Sequence, residues 1–334
     1  MTDMSALART SLAGEALSRA DAFGVLQTPD TELRELLDAA FSVRSRTFGR
    51  KVKVCVLQNA QSGLCPEDCH YCSQSKISTA PIQKYRLLPQ DQLLAGARKA
   101  VAAGARRYCM VASGRGPQAR EIAHMSRAAR AIKAAFPRLE ICVSLGLMDH
   151  NQATELKQAG VGWVNHNLNT SRRFYPRICT THTYDDRVET VKNVKRAGLS
   201  SCSGGIIGMG ESDEDIVDLA YVTRELGIDS IPVNFLYPIA GTPLDDRRAD
   251  PIKGLKTLCL LRFLNPRSEI RMAAGREIYL GDWSGLALYP ANSLFVEGYL
   301  TTPGQQAEAA RSLIERAGFE VEEVDGTDQM AAGA

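Results

Sequence analysis

The sequence RYCMVASGRGPQAREIAHMSRAARAIKAAFPRLEICVSL occupies residues 107–145 and contains one complete β-α-β pattern. A short run rich in strand-forming residues, Arg107–Ala112, is followed by a long helical segment and then by a second such run, Glu140–Leu145. Runs of this kind on either side of a helix indicate parallel strands joined by a helical crossover. The stretch therefore predicts an α/β fold.

The same alternation begins at Val52 and continues along most of the chain. Helical segments separate the strand candidates, and several start at an acidic or amide residue and stop at glycine. A β-α unit repeated about eight times over ~250 residues predicts a (β/α)8 TIM-type barrel, with an open doubly wound sheet as the alternative. The predicted strands are Val52–Leu57, Arg107–Ala112, Glu140–Leu145, Val161–Asn167, Leu199–Ile207, Ser230–Phe235, Glu269–Ala273 and Asn292–Val296.

The pattern divides the chain into three segments. Residues 1–45 are predicted to form an N-terminal helical cap, because Leu33 and Leu37 belong to an apolar stripe at helical spacing. Residues 46–318 form the barrel, and no low-complexity linker interrupts them. Residues 319–334 become acidic and small, so we expect a C-terminal tail with a disordered end.

The composition of the chain restricts the kinds of molecule that the protein is expected to bind. The 334 residues carry 40 basic and 38 acidic side chains, a formal charge of +2, which lacks the basic excess expected of a nucleic-acid-binding protein. No apolar run approaches the ~20 residues that span a bilayer, and the N-terminus lacks the hydrophobic core of a secretion signal. We therefore expect a soluble protein in the cytoplasm, with neither nucleic acid nor membrane as partner.

Nine cysteines need an explanation other than a disulfide framework, because nothing indicates export. Three of them, Cys65, Cys69 and Cys72, follow the first predicted strand with the spacing C-x3-C-x2-C. That loop would lie at the C-terminal mouth of a barrel, where barrel enzymes carry out chemistry.

Three thiolates at this spacing can converge on a [4Fe–4S] cluster, which usually takes four cysteine ligands. Three local ligands would leave one iron free to bind another molecule. Structural zinc, with His70 lying between two of the cysteines, is the alternative, but zinc prefers four ligands and no second pair is evident.

The loop, with Tyr71 directly before its last cysteine, resembles the radical S-adenosylmethionine superfamily. Between Val52 and Gly304 the chain also resembles the biotin synthase family in several separate stretches. They are SGLCPEDCHYCSQS, YCMVASG, EICVSLG, NHNLNTS, TTHTYDDR, CSGGIIGMGE, SIPVNFLYPIAGTPL, IRMAAGRE and ANSLFVEGYLTTPGQ. The resemblance implies that the open iron of the [4Fe–4S] cluster binds the amino and carboxylate groups of S-adenosylmethionine.

The resemblance also implies a second, [2Fe–2S] cluster inside the barrel. Its ligands would be Cys109, Cys142 and Cys202, each on a different predicted strand, together with Arg271. Arg276 is a rival for the fourth position, and an ion pair closing the barrel is the alternative role for Arg271. The remaining cysteines match no ligand position and are expected to be core or partly buried thiols: Cys55, Cys179 and Cys259.

Contacts to S-adenosylmethionine follow from the same resemblance. We expect Arg187 to pair with the cofactor carboxylate and the backbone near Ala112 to accept from its amino group. Asn167 and Asn169 would serve the ribose, although some family members have aspartate at position 169. The adenine would lie between Tyr71 and the backbone around Ile207. The GGIIGMG run is not a dinucleotide fingerprint, because it ends a strand instead of opening a helix.

The substrate implied by the resemblance is dethiobiotin, whose ureido ring would contact Asn165, Asn167 and Asn234. Amides suit a neutral ring with donors and acceptors, although each Asn could instead bond backbone at a strand end. His166 alternates with these amides and is expected to be structural. No side chain beyond the cluster ligands is predicted to be catalytic.

The reaction implied is conversion of dethiobiotin to biotin by radical sulfur insertion, the last step of biotin biosynthesis. It requires an external one-electron reductant of the flavodoxin or ferredoxin type, and a homodimer is expected. Two alternatives remain at this point: another radical S-adenosylmethionine barrel enzyme, such as a cofactor maturase or a mutase, and a non-catalytic iron–sulfur protein.

Overall fold

The computed structural model describes residues 3–246 and 249–323, which contain a closed parallel barrel. Neighbouring strands pair in parallel around the ring, and pairing of the first barrel strand with the ninth strand of the chain closes it. The strands are β1 (Lys51–Gln61), β2 (Arg107–Ala112), β3 (Glu140–Ser144), β4 (Trp163–Asn165), β5 (Ser200–Cys202), β6 (Gly205–Ile207), β7 (Ser230–Phe235), β8 (Glu269–Met272), β9 (Ser293–Val296) and β10 (Glu320–Val321).

Helices surround the barrel and connect its strands. They are α1 (Met4–Leu12), α2 (Arg19–Leu26), α3 (Leu33–Phe48), α4 (Gln90–Ala102), α5 (Ala119–Ala135), α6 (His150–Gln158), α7 (Tyr184–Arg196), α8 (Asp213–Glu225), α9 (Pro251–Leu264), α10 (Arg276–Tyr279) and α11 (Ala307–Arg316). Short 3-10 turns lie at Asp30–Glu32, Tyr175–Arg177 and Gly281–Leu288. Within the described part of the chain, none of the helices has the length and apolarity that a bilayer crossing requires.

The eight predicted strands and the (β/α)8 barrel are confirmed, and the open-sheet alternative is wrong because β1 pairs with β9. One predicted strand, Leu199–Ile207, is divided into β5 and β6, which both pair with β7. The division falls at Gly204, where a Cβ atom would come within 2.0 Å of the carbonyl oxygen of Pro232. Only glycine allows the two backbones to approach this closely.

The first and last described segments of the chain lie against the outside of this barrel. The three N-terminal helices occupy the segment predicted as a helical cap, and Ser11 of α1 donates a hydrogen bond to the carbonyl oxygen of Phe263 on α9 at 2.6 Å. At the other end, β10 pairs with the start of β1, so the first residues of the predicted tail are structured. The predicted disordered end of that tail lies outside the described residues.

Packing of α3 onto the barrel provides a test of the N-terminal helices. Leu36 is fully buried, so Leu36→Ala should lower the free energy of unfolding by about 2–5 kcal/mol through lost burial and a residual cavity. Glu35→Ala, on the exposed face of the same helix, should change it by no more than ~0.5 kcal/mol. Urea unfolding of both variants measures the difference, and equal stability would contradict the packing described here.

Candidate active site

A cavity of about 350 Å³ opens at the C-terminal mouth of the barrel. Its wall is mostly apolar, with a few polar groups, as is usual for sites that bind small molecules. The predicted site residues that line it are Cys65, Cys69, Tyr71, Cys72, Cys109, Ala112, Cys142, Asn165, Asn167, Asn169, Arg187, Asn234 and Arg271. Loop thiols and barrel thiols therefore contact the same space.

Two predicted residues do not line the cavity. Cys202 is buried directly behind it, with its sulfur 3.4 Å from the side-chain nitrogen of Asn165. Ile207 packs its side chain into the main core, and its neighbour Ile206 lines the cavity instead. This follows from the alternation of side chains along β6. The predicted adenine contact concerned the backbone near Ile207, and it stays a prediction.

The loop that carries Cys65, Cys69 and Cys72 is shaped by its own backbone. Leu64 has a φ of 57°, and the amide of Gly63 donates to the side-chain oxygen of Gln74 at 2.9 Å, which closes the loop. Burial raises the pKa of the Cys72 thiol to about 11, although the amides of Gln74 and Ser75 donate to its sulfur and oppose the shift.

Burial likewise raises the pKa of the Cys65 thiol, against opposing hydrogen bonds from the amides of Glu67 and Gly114. Both thiols are therefore protonated near neutrality in the metal-free chain. Coordination to a metal ion deprotonates a thiol outright. Backbone amides that already point at Cys65 and Cys72 would then stabilise the thiolates, so the donor set fits an iron–sulfur cluster.

Asp68 fastens the cysteine loop to the loop that precedes α7. Its carboxylate accepts from the amides of Thr180 and Thr181 at 2.9 and 3.2 Å, and from both threonine hydroxyls. Burial raises the pKa of Asp68, but these hydrogen bonds outweigh it and hold the pKa well below the ordinary value. The loop position therefore depends on an ionised carboxylate.

A group of side chains beside Cys69 was not predicted from the sequence. The sulfur of Cys179 lies 3.8 Å from that of Cys69 and 3.4 Å from Nδ1 of His182, and these three residues could together hold a metal ion. His182 also contacts the carboxylate of Glu67 and the hydroxyl of Tyr175. His70, the zinc ligand considered from the sequence, does not belong to this group. The C-x2-H spacing of Cys179 and His182 was the available signal.

Arg187 is buried and points its guanidinium towards the cavity. Its Nη1 donates to the carbonyl oxygen of Asn167 at 2.8 Å, and its Nε donates to the hydroxyl of Tyr175. Burial lowers the pKa of Arg187, but neighbouring Tyr71 and Tyr175 raise it, and the net pKa lies above the ordinary value. Among the described residues no carboxylate pairs with this guanidinium, which leaves it suited to an external one.

The predicted asparagines line the cavity, and their side chains also form hydrogen bonds to other groups of the protein. Asn169 has a φ of 71°, and its side-chain nitrogen donates to the hydroxyl of Tyr71 at 2.6 Å. The oxygen of Asn167 accepts from the amide of Gly204 at 3.1 Å, and that of Asn234 from Ala274 at 3.2 Å. The side-chain oxygens of Asn167 and Asn234 therefore bond to backbone amides, which is the alternative role considered from the sequence.

His166 does not follow the alternation of side chains along a strand that the sequence predicted for it. His166 lines the cavity beside the amides, although it is buried and its Nε2 has no hydrogen-bond partner among the described residues. Strand β4 ends at Asn165, so the strict alternation of faces does not extend to the next residue. Burial holds the pKa of His166 well below its usual value, which keeps the ring neutral.

The barrel interior brings the predicted auxiliary ligands together. Cys109 and Cys142 are register partners on β2 and β3, and their side chains pack in one buried cluster. Nη1 of Arg271 lies 3.6 Å from the sulfur of Cys202. Arg276, the rival fourth ligand, instead contacts Gln305 and the carbonyl oxygen of Phe295.

Comparison with known proteins defines the class first. Residues 62–220 match the model of the radical SAM superfamily, and residues 232–320 match the Biotin and Thiamin Synthesis associated domain. Radical SAM membership implies a [4Fe–4S] cluster and S-adenosylmethionine. The solved structure of methylornithine synthase is similar over 98% of this chain and 99% of its own, with a TM-score of 0.82 at 20% identity, which shows a shared fold.

The hydrogenase maturase HydG from Carboxydothermus hydrogenoformans shares the same fold, with a TM-score of 0.79 at 17% identity over 97% of this chain and 80% of its own.

Curated relatives then define the family. A biotin synthase from Magnetococcus marinus is 49% identical over 96% of this chain and 99% of its own length. One from Bacillus pumilus is 48% identical over 95% of this chain and 96% of its own. The chain belongs to the biotin synthase family and is an enzyme. The family resemblance predicted from the cysteine loop and the separate motifs is confirmed.

The carboxylate of Asp68 gives a pH-dependent test of the loop anchor. An acid whose pKa is lower in the folded than in the unfolded chain contributes stability above the unfolded pKa, ~3.9, and loses it as pH falls. Metal-free Asp68→Asn should therefore be about 1–3 kcal/mol less stable than the parent at pH 7, and the difference should shrink below pH ~4. Urea unfolding across pH measures it, with exposed Asp38→Asn as the control. A difference that does not change with pH would contradict the anchor.

Proposed function

We propose that this chain converts dethiobiotin to biotin by inserting sulfur between two unactivated carbons, the last step of biotin biosynthesis. One observation carries the proposal: a single cavity contacts the loop thiols at its mouth and barrel thiols at its floor. A substrate held between them could meet a radical source on one side and a sulfur source on the other.

The two thiol sets fit two different clusters. When bound, the [4Fe–4S] cluster supplies the electron that cleaves S-adenosylmethionine to methionine and a 5′-deoxyadenosyl radical, and a [2Fe–2S] cluster supplies sulfur to the substrate carbon. Cys65, Cys69 and Cys72 would hold the first. Cys109, Cys142 and Cys202 would hold the second, with a fourth ligand for which Arg271 is the family's candidate.

The remaining site residues would bind and orient. Arg187 would donate to the cofactor carboxylate, because its buried guanidinium has paired donors and faces the cavity. Tyr71 and Asn169, joined by their hydrogen bond, would contact adenine and ribose together with Asn167, the backbone of Ala112 and the backbone near Ile207. Asn165, Asn167 and Asn234 would contact the ureido ring.

The surroundings suit a reaction that needs no acid–base residue. The mostly apolar wall would exclude water from a carbon radical, and the neutral His166 ring adds no charge near it. An external one-electron reductant of the flavodoxin or ferredoxin type, a homodimer and a cytoplasmic location belong to the same proposal.

The mutase and maturase alternatives share this fold, so the architecture alone does not separate them from sulfur insertion. The buried thiols of Cys109, Cys142 and Cys202 favour sulfur insertion, because radical formation at the loop would not require them. A non-catalytic electron carrier would not require a cavity of substrate size beside its cluster.

Arg187 can be tested by cofactor binding. Arg187→Ala should raise the dissociation constant of S-adenosylmethionine roughly 10- to 150-fold, which is the loss of a charged hydrogen bond worth about 1.5–3 kcal/mol. Arg172→Ala, an exposed arginine on the neighbouring loop, should leave the constant unchanged. Calorimetric titration of the reconstituted chain is the measurement, and equal constants for Arg187→Ala and the parent would remove Arg187 from the site.

The loop cysteines and the barrel cysteines can be tested separately, because they are predicted to affect different products. Cys65→Ala, Cys69→Ala or Cys72→Ala should abolish formation of 5′-deoxyadenosine, because the radical source is lost. Cys109→Ala, Cys142→Ala or Cys202→Ala should retain some 5′-deoxyadenosine but yield no biotin. Both products are measured together in each purified, reconstituted variant, with Cys259→Ala as a buried control. Biotin formation at the parent rate by Cys142→Ala would place the sulfur source elsewhere.

A further inference from the structure

Leu64, the residue directly before Cys65, presents an apolar side chain to solvent. It is 62% exposed, more than any other large apolar side chain of the described residues. Its φ of 57° lies in the left-handed region, which leucine adopts rarely. A single exposed apolar residue is common on protein surfaces, so the groups around Leu64 decide what it can bind.

The connection between β1 and α4, residues 62–89, exposes charge of only one sign. Its two acidic residues, Glu67 and Asp68, are buried. Exposed carboxylates border the connection at Asp91 in α4 and at Asp245 on the adjoining loop before α9. Three exposed cations of the connection form no ion pair with a described carboxylate, and they are Lys76, Lys84 and Arg86.

Lys84 lies beside the backbone that leads into Leu64. Ser62 and Tyr85 pair as an antiparallel bridge, with amide-to-carbonyl distances of 3.1 and 3.0 Å in the two directions. Lys84 is therefore opposite Gly63, where an added Cβ atom would come within 2.7 Å of the lysine Cγ. The side chain of Lys84 thus crosses the residue next to Leu64.

Tyr85 determines the direction in which its two neighbours point. Its hydroxyl donates to the carbonyl oxygen of Asn59 at 2.8 Å, so its ring is turned towards the barrel. Side chains alternate along an extended segment, and Lys84 and Arg86 therefore point away from the barrel into solvent. Both cations are held on the exposed face that also carries Leu64.

Three other arginines at the same end of the barrel differ, because carboxylates neutralise them. Arg172 pairs with Asp185, and Arg173 contacts two carboxylates of α8 at 2.7 Å. Arg115 lies 3.3 Å from the carboxylate of Glu67. Lys84 and Arg86 have no such partner among the described residues, so their charge is available to a molecule outside the chain.

We propose that Leu64, Lys84 and Arg86, named here the basic patch, form the docking surface for an acidic electron-carrier protein. The inference rests on the proposed function, which requires a one-electron reductant. Carboxylates on the carrier would pair with the two cations, and Leu64 would be buried at the centre of the contact. Because Cys65 follows Leu64, the docked carrier would lie next to a proposed cluster ligand. One electron would leave the carrier and reduce the [4Fe–4S] cluster.

Charge reversal tests the two cations in the reconstituted holoenzyme. Reduced flavodoxin, an acidic carrier, is the probe, and dithionite is the small reductant that needs no docking surface. Lys84→Glu/Arg86→Glu should raise the flavodoxin concentration for half-maximal formation of 5′-deoxyadenosine about tenfold or more at low ionic strength. High salt should reduce this difference by screening. The rate with dithionite should equal that of the parent.

The matched control is Arg98→Glu/Lys99→Glu, which makes the same change of net charge. Both residues are exposed near the end of α4, at the opposite end of the barrel from the cysteine loop. This variant should need the same flavodoxin concentration as the parent. An equal loss in the control and in Lys84→Glu/Arg86→Glu would overturn the basic patch, because the effect would then come from net charge alone.

Leu64→Asn tests the apolar part of the patch, since asparagine tolerates the left-handed backbone but removes the apolar contact. Calorimetric titration of oxidised flavodoxin into the holoenzyme should show weaker binding than in the parent. The salt dependence should stay unchanged, because no charge is altered. Iron content monitors whether the cysteine loop still holds its cluster.

The remaining outcomes are distinct. Parent behaviour of Lys84→Glu/Arg86→Glu with flavodoxin would overturn the docking surface, and so would an equal loss of its rate with dithionite. A changed sedimentation coefficient with parent flavodoxin binding would assign the patch to a contact between copies of this chain. If the parent forms no 5′-deoxyadenosine with dithionite, the proposed function fails, and the binding titration still decides whether the patch holds flavodoxin.

Discussion

Pairing of β1 with β9 is the interaction on which the rest of the molecule depends, because it turns a parallel sheet into a ring. Once the ring is closed, every second residue of each strand must point inward, whatever its chemistry. Thiols that are distant in sequence, such as Cys109 and Cys202, are thereby brought into one interior. An open sheet would have left its two edge strands apart and this interior unformed.

The lower part of that interior is charged, which is unusual for a barrel core. Glu269 is surrounded by Arg107, Arg271 and Lys53, and the guanidinium of Arg107 also stacks on the ring of Trp163 with its carbon 3.6 Å from the centroid. Burial raises the pKa of Glu269, but these cations outweigh it and hold the pKa far below the ordinary value.

A set of buried charges like this stabilises little on its own, because desolvation offsets the attraction between them. These ion pairs do fix the orientation of the Arg271 guanidinium beside the barrel thiols. A cluster inside the barrel would contact the guanidinium in that orientation. Glu140 also contacts Arg107 and Lys53, so three cations face two carboxylates. The positive charge that remains would suit thiols that lose their protons on binding a cluster.

The sequence was sufficient for those features that depend on local pattern. Strand and helix periodicity located all eight barrel strands, and the C-x3-C-x2-C spacing located the loop. The split at Gly204 was missed because it is caused by the approach of Pro232, which is distant in sequence. Strand β10 was missed because two residues carry no pattern of their own and are ordered only by pairing with β1.

The metal-capable group beside Cys69 was missed for the same reason. Cys179 reaches Cys69 across 110 positions of sequence. That separation leaves no spacing motif, and a single buried cysteine is more often a small apolar core residue than a ligand. Only the closed ring decides which isolated thiols share a face.

The position of the two thiol sets along the barrel also constrains the order of events at the site. The loop thiols lie at the mouth with Arg187, whereas Cys109 and Cys142 lie at the floor among buried side chains. A molecule that contacts the floor would then have to enter before a second ligand fills the mouth. Under the proposed function, this order would place dethiobiotin below S-adenosylmethionine, with its carbons between the radical source and the thiol-held sulfur. The substrate itself would then separate the two reactive centres and keep the radical from reaching the barrel thiols directly.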